Sequence, residues 1–237
     1  MLGIGLAGCS HYGLPDPGTA QGQALHNDWV VFFYAGLVVA LLVYALIIGS
    51  LFAWRRRSDA LPAQFSRNYP LEIVYTILPL LLVVALFIVT YRNERSVEAL
   101  TVRPAVTVDI TGFRWSWRFT YAGVKPPVAI VGTPQDSPQL VLPVGETTRI
   151  NLTSADVIHA FWVPGFLFKR DAIAGMNNKF DLEPTRTGTY RGVCAEFCGL
   201  DHALMGFSIK VVSAQAFTGW LTEQQRRGAL AVQDHRT

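Results

Sequence analysis

The chain has 237 residues, 51% of them hydrophobic and only 16% charged, where an ordinary soluble domain is about a quarter charged. That balance excludes intrinsic disorder and a wholly soluble protein, and a net charge of +3 with no basic stripe excludes nucleic-acid binding. Three cysteines are too few for a disulfide framework.

Residues 1–23 read as a lipoprotein signal remnant and a linker. Leu6-Ala7-Gly8-Cys9 resembles a bacterial lipobox, which makes Cys9 a candidate lipidation site. Only eight residues precede it and none is basic, so a chance match is the alternative. His11 to Gln23 is rich in Gly, Pro and Gln and reads as linker.

Residues 24–99 are predicted to form a transmembrane hairpin. Val30 to Ala53 is 24 residues without a charge, bracketed by Trp29 and Trp54, and Ile73 to Tyr91 is 19. Each can cross a hydrocarbon core of about 30 Å at about 1.5 Å per residue. Neither has a polar face, and the flanking aromatics suit a membrane interface. Pro79, inside the second span, predicts a kink. The first 54 residues contain no Lys or Arg, whereas the connection carries Arg55, Arg56, Arg57 and Arg67. The positive-inside rule therefore predicts a multi-pass protein of the bacterial plasma membrane, with the connection cytoplasmic and everything after Tyr91 on the outer, periplasmic side.

Residues 100–213 change character. Short β-favouring runs at Val106–Ile110, Trp115–Tyr121, Gln139–Leu142, Thr148–Leu152, Phe161–Val163, Thr189–Cys194 and Phe207–Val212 are broken by Gly, Pro and Asp. Seven or so strands at this spacing predict an antiparallel sandwich or barrel. In residues 214–237, Ala214–Arg227 is predicted to be a short helix ahead of a polar tail.

One segment concentrates the chemistry: Gly192-Val-Cys194-Ala-Glu196-Phe-Cys198-Gly-Leu-Asp-His202-Ala-Leu-Met205. Intervals of four, four and three also fit a helix face. The glycines at 192, 199 and 206 favour a loop between the last two strands instead. A Cys194–Cys198 disulfide is a second possibility outside the cytoplasm, but it leaves the His and Met unexplained. Thiolate, imidazole and thioether together form a soft set that favours copper over zinc. Two thiols on one loop allow two metals to be bridged. A second imidazole must then come from elsewhere in the outer domain, which holds three histidines, and His159, in Asp156-Val-Ile-His159, is the one left after His202 and the tail residue His235.

These motifs resemble cytochrome c oxidase subunit II over roughly residues 24–225. The resemblance implies a membrane-anchored all-β architecture, a two-helix hairpin followed by a cupredoxin-like β-barrel. It also implies a dinuclear copper (CuA) centre in which Cys194 and Cys198 bridge, His159 and His202 cap one copper each, and Met205 is a weak ligand. Glu196 would ligate through its backbone carbonyl, its side chain reaching a magnesium ion at the junction with the catalytic subunit. The implied role is electron transfer: electrons arrive from cytochrome c and pass to the catalytic haem-copper subunit, which holds all the haems and reduces oxygen to water with proton pumping. Trp115, in Gly112-Phe-Arg-Trp115-Ser-Trp117, matches the residue where electrons arrive, with Trp117 and Phe119 expected to pack the core. Glu72, in Glu72-Ile-Val-Tyr-Thr-Ile-Leu-Pro79, matches the acid at the mouth of a proton-uptake channel; a helix-start acid favoured by the dipole is the plainer reading.

The chain departs from that family in charge. Residues 101–237 hold 14 basic and 11 acidic residues, and Arg114 and Arg118 flank Trp115. Asp156, Asp171 and Asp201 remain as local docking acids. Steering of a basic soluble donor is expected to be weak. A membrane-tethered cytochrome c, in a supercomplex with a cytochrome bc enzyme, is the expected donor, because tethering supplies concentration without charge. A quinol oxidase subunit lacks these ligands, nitrous oxide reductase needs a larger catalytic domain, and a copper-delivery protein has an open mononuclear site. A nitric oxide reductase subunit with the same centre stays open.

Overall fold

The computed structural model describes residues 13–56, 64 and 66–234, so Cys9, Arg57 and His235 lie outside the described residues. It divides into two compact units, one of residues 27–95 and one that joins residues up to 26 with residues 96 onward.

The first unit consists of most of two helices, α1 (Ala20–Ala53) and α2 (Tyr69–Val97), both long and apolar enough to cross a membrane. Their large side chains are exposed all round, as expected of residues that meet lipid rather than a protein core. Asn68 caps α2: its Oδ1 accepts the Leu71 N–H at 3.4 Å, and the Glu72 carboxylate accepts the Asn68 N–H at 3.0 Å. The plainer reading of Glu72 as a helix-start acid is thus realised. The helix runs unbroken through Pro79, which has no N–H to offer the preceding turn. Asn93 on α2 donates to the Asp28 carboxylate on α1.

The second unit is a sandwich of two five-stranded sheets. One has the order β3 (Val128–Val131), β2 (Ser116–Tyr121), β1 (Val106–Phe113), β5 (Thr148–Ser154), β8 (Asn178–Leu182). The other runs β4 (Gln139–Pro143), β10 (Gly206–Val212), β9 (Gly188–Cys194), β6 (His159–Val163), β7 (Phe168–Ala172). The expected antiparallel arrangement needs correction, because β1 with β5 and β4 with β10 are parallel pairs. Each sheet thereby brings together strands from distant parts of the chain. The three strands not foreseen, β3, β7 and β8, all lie at sheet edges. An edge strand is short and carries charge on its open side, so Phe168-Lys-Arg-Asp-Ala172 and Asn178-Lys-Phe-Asp-Leu182 lack a clean apolar alternation.

Where the two sheets face each other, aromatic rings fill the gap. Phe207 stacks on Phe161 with centroids 4.5 Å apart, and Trp117 meets both edge-on at 5.4 and 5.9 Å. Trp117 and Phe119 are fully buried, as expected. Tyr121, at the end of β2, crosses to the other sheet and both donates to the Val141 carbonyl and accepts the Val141 N–H, each at 2.9 Å. The C-terminal helix α3 (Ala214–Asp234) is longer than expected and lays Phe217 and Trp220 against Tyr121.

From Gly18 onward the linker expectation for His11–Gln23 is also corrected; His11 and Tyr12 lie outside the described residues. The Gly18 N–H donates to Gly165 at 2.8 Å, the Thr185 N–H donates to Gly18 at 2.9 Å, and Ala20 donates to Glu183 at 3.0 Å. Thr19 caps α1 through its hydroxyl, which accepts the Gly22 N–H at 3.0 Å. Gly22 lies so close to Phe166 that a Cβ there would sit 2.4 Å from the Phe166 carbonyl oxygen.

Candidate metal centre

Three stretches of chain converge at one end of the second sheet. His159 is the first residue of β6 and Cys194 the last of β9, and the two strands are hydrogen-bonded neighbours with Phe161 opposite Cys194. The chain then loops through Cys198, makes a single 3-10 turn at His202–Leu204 and enters β10 after Met205. The loop reading of the motif therefore holds over the helix reading. Its shape is set by backbone bonds: Cys194 N–H to Met205, Ala195 N–H to Ala160, His202 N–H to Gly199 and Met205 N–H to His202, at 3.0 to 3.2 Å. Gly199 has φ of +120°, a conformation that only glycine adopts readily, and a Cβ there would stand 3.1 Å from the Trp115 indole nitrogen.

The donor atoms face one another. The Cys194 and Cys198 sulfurs are 3.9 Å apart and both cysteines are free, so the disulfide alternative is not realised. His159 Nδ1 is 3.9 Å from Cys194 Sγ, and His202 Nδ1 is 3.5 Å from Cys198 Sγ. The Met205 thioether lies 3.7 Å from Cys198 Sγ, and the Glu196 carbonyl oxygen 3.3 Å from Cys194 Sγ. His159, Cys194, Cys198 and Met205 are buried, while the Glu196 side chain is exposed. All six residues expected around the metal are brought together. His159, Cys194 and Cys198 offer ligand atoms within 4.8 Å of one another.

The electrostatics explain what such a set would accept. Burial would raise the Cys194 thiol, but its contacts with His159, with the backbone at Ala160 and Glu196 and with Cys198 outweigh this and lower it. Burial and the negative charge of Cys194 push Cys198 up to about 12. Two thiolates at this separation repel unless cations sit beside them, and the neighbouring imidazole nitrogens and thioether are soft donors that copper favours. The donor set therefore fits a dinuclear copper group. Burial would lower the His159 imidazole, yet its contacts with Cys194 and Asp156 outweigh that and raise it.

Trp115 occupies the two-residue turn between β1 and β2 rather than the strand expected from Trp115 onward, since Phe113 pairs with Ser116. Its half-buried indole donates to the Cys198 carbonyl at 3.1 Å. Asp156, expected to serve as a docking acid, is instead engaged inward: it contacts His159 Nε2 at 2.8 Å and accepts the Arg114 and Val157 N–H groups at 2.8 and 2.7 Å. Burial would raise its carboxyl, but those hydrogen bonds hold it at about 2. The Asp-x-x-His spacing was the available signal for that role. Glu72 lies in the other compact unit, at the first turn of α2.

The sequence family described as cytochrome c oxidase subunit II, transmembrane domain, matches residues 11–92, and the one described as cytochrome c oxidase subunit II, periplasmic domain, matches residues 133–212. A probable cytochrome c oxidase subunit 2 of Streptomyces avermitilis is 37% identical over 91% of this chain and 80% of its own length. The cytochrome c oxidase subunit 2 of Mycobacterium tuberculosis strain H37Rv is 32% identical over 95% of this chain and 79% of its own. Among solved structures, the periplasmic domain of subunit II of cytochrome oxidase from Bradyrhizobium japonicum is 32% identical with a TM-score of 0.49, covering 54% of this chain and 99% of that one. With two helices long and apolar enough to cross a membrane followed by a cupredoxin-like β-domain, the chain belongs to the cytochrome c oxidase subunit II family and is a subunit of cytochrome c oxidase.

Proposed function

We propose that this subunit receives electrons from cytochrome c at a dinuclear copper centre and hands them to the catalytic haem-copper subunit, which reduces oxygen to water and pumps protons. The observation that carries this reading is the convergence of two thiols, two imidazole Nδ1 atoms, a thioether and a carbonyl in one largely buried cluster. Cys194, Cys198, His159, His202, Met205 and the Glu196 carbonyl would hold the copper pair. When bound, the copper pair supplies a one-electron store whose change of one charge is spread over two metals. The protein contributes rigidity: backbone bonds pin the loop between β9 and β10, and a closely packed aromatic core stands behind it, so the ligands move little on electron transfer.

Trp115 is the residue where electrons arrive; its indole hydrogen bond to Cys198 supports a short route to the metal. The exposed Glu196 carboxylate is free to hold magnesium at the junction with the catalytic subunit, and Glu72 lies at the mouth of a proton-uptake channel on the cytoplasmic side. The arginines at 55, 56 and 67 support that orientation, with the β-domain on the periplasmic side of the bacterial plasma membrane. Around Trp115 the exposed residues are apolar or basic rather than acidic: Phe197 and Leu200, on the loop whose Cys198 carbonyl accepts its indole, are 78% and 88% exposed, and Arg114 and Arg118 are exposed as well. With 14 basic against 11 acidic residues in the outer part, this favours a tethered cytochrome c, in a supercomplex with a cytochrome bc enzyme, over a basic soluble one.

The deciding experiment is electron paramagnetic resonance of the copper-loaded full chain. A seven-line pattern, from one electron shared by two copper nuclei, is expected; a four-line or silent spectrum overturns the reading. For the donor, oxidation of a soluble basic cytochrome c should depend weakly on salt, and a steep fall with added salt refutes the tethered donor.

A further inference from the structure

We infer that Asp156 is a positioning residue that couples the metal-facing His159 to the turn carrying Trp115; this rests on the copper reading above. The two oxygens of its carboxylate serve different elements. Oδ1 takes His159 Nε2 at 2.8 Å and the Val157 N–H at 2.7 Å. Oδ2 takes the Arg114 N–H at 2.8 Å, with the Arg114 guanidinium Nε at 3.4 Å. Arg114 and Trp115 are the two residues of the β1–β2 turn, so a single side chain grips both a ligand and the peptide next to the electron-receiving indole.

Each grip has a consequence. A carboxylate can only accept, so Nε2 carries a proton, and in the neutral ring that leaves the lone pair on Nδ1, the nitrogen turned towards Cys194 Sγ. On the other arm, the Arg114 amide fixes the start of the turn while the Trp115 indole donates to Cys198 at 3.1 Å. Trp115 is thereby held to both halves of the cluster, through Cys198 on one side and through Asp156 and His159 on the other. The turn bearing Asp156 is itself fixed, since the Asp156 N–H donates to Ser154 Oγ at 3.1 Å and the Ala155 N–H to Gly112 at 2.9 Å. His202 is held differently. Among the described residues its ring meets Phe197 at 5.8 Å, and no carboxylate contacts it.

Four donors around two acceptor oxygens make a sharp test. In Asp156→Asn one acceptor becomes an NH₂ group, which must face either His159 and Val157 or Arg114, so one arm is lost whichever way the amide turns. Asp156→Ala loses both. The measurement uses the full chain, copper-loaded, with affinity read by chelator competition and the reduction potential by redox titration of the visible absorption. The wild type must first hold two coppers with a seven-line spectrum; if it does not, the copper reading fails and not this one. With that established, both variants should lose 10- to 100-fold in copper affinity, as removal of a partner behind a metal ligand typically does. Their potentials should move by at least a tenfold change in the oxidised-to-reduced ratio, 59 mV for one electron. Melting of the chelator-treated Asp156→Asn protein should stay near that of the wild type. Combining Asp156→Ala with Trp115→Phe should cost less affinity than the two single losses together. Affinity and potential within twofold of wild type in both variants overturn the assignment, as does strict additivity with Trp115→Phe.

Discussion

Gly192 sits on β9 directly opposite Phe207 on β10, two residues before the first metal-facing cysteine. A Cβ at this position would lie 2.1 Å from Phe207 Cε2 and 2.2 Å from Cζ. Ordinary carbon contacts need about 3.5–4.0 Å, so Gly192→Ala requires the ring to retreat by roughly 1.5 Å. The ring has nowhere to go: it stacks on Phe161 at 4.5 Å and meets Trp117 at 5.4 Å and Phe119 at 5.9 Å. Overpacking of this kind typically costs about 1–3 kcal/mol, which exceeds the roughly 0.5–1 kcal/mol that replacing a strand glycine gains. A net loss of about 1 kcal/mol corresponds to a melting point lower by about 2–4 °C for a domain of this size. The disturbance also reaches the metal site, because Trp117 packs against His159 at 6.0 Å and Phe161 lies opposite Cys194. Differential scanning calorimetry of the full chain measures the first effect and chelator competition the second. Phe207→Leu in the Gly192→Ala background shrinks the obstructing ring and should recover part of the loss. A single variant that melts within 1 °C of wild type, or a double variant worse than the single, refutes the packing argument.

Trp115→Phe keeps a ring in the β1–β2 turn but removes the donor to the Cys198 carbonyl; reduction of the copper by cytochrome c, followed by stopped flow, should slow at least tenfold while the seven-line spectrum persists. Tyr121→Phe strands the buried N–H and C=O of Val141 and should cost about 1–3 kcal/mol in urea unfolding with the slope unchanged. Asp181 is buried; desolvation would raise its carboxyl, but the Arg149 guanidinium and the Thr101 N–H outweigh it and lower it. A depressed folded-state value means this stability is fully present above the ordinary aspartate range near 4 and is lost as pH falls below it. The melting-point difference between wild type and Asp181→Asn should therefore be largest at neutral pH and shrink on acidification, and a difference that grows on acidification contradicts the assignment.

How much of this was legible in the sequence depended on how local the signal is. Uncharged runs of 24 and 19 residues announce membrane spans without tertiary information, and both helices contain them. The cluster was legible because two thiols, an imidazole and a thioether at short intervals in a glycine-punctuated run make an odd packing stripe but a coherent soft ligand set, so Cys194, Cys198, His202 and Met205 stood out. His159 could be reached only by counting imidazoles. What stayed hidden depends on partners distant in sequence. The parallel pairing of β1 with β5 follows from where β5 folds back, not from either strand's composition. Asp156 read as a surface acid because nothing in a linear reading turns its second oxygen towards Arg114, 42 residues earlier. The edge strands β7 and β8 were lost for the reason that makes them safe edges, since Lys169, Arg170 and Lys179 interrupt the pattern that betrays a buried strand.

The short stretch ahead of α1 carries a topological consequence. Residues Gly18 to Ala20 are hydrogen-bonded to Gly165, Glu183 and Thr185, so the β-domain is closed by chain from both sides of the hairpin. Thr19 bridges to Pro184, whose codon is read long after its own, and the stretch must wait unpaired until the chain just after β8 has been made. Two segments that share one folded body occupy the same aqueous compartment. The chain between them must cross the bilayer an even number of times, a parity set by main-chain hydrogen bonds and independent of any count of arginines.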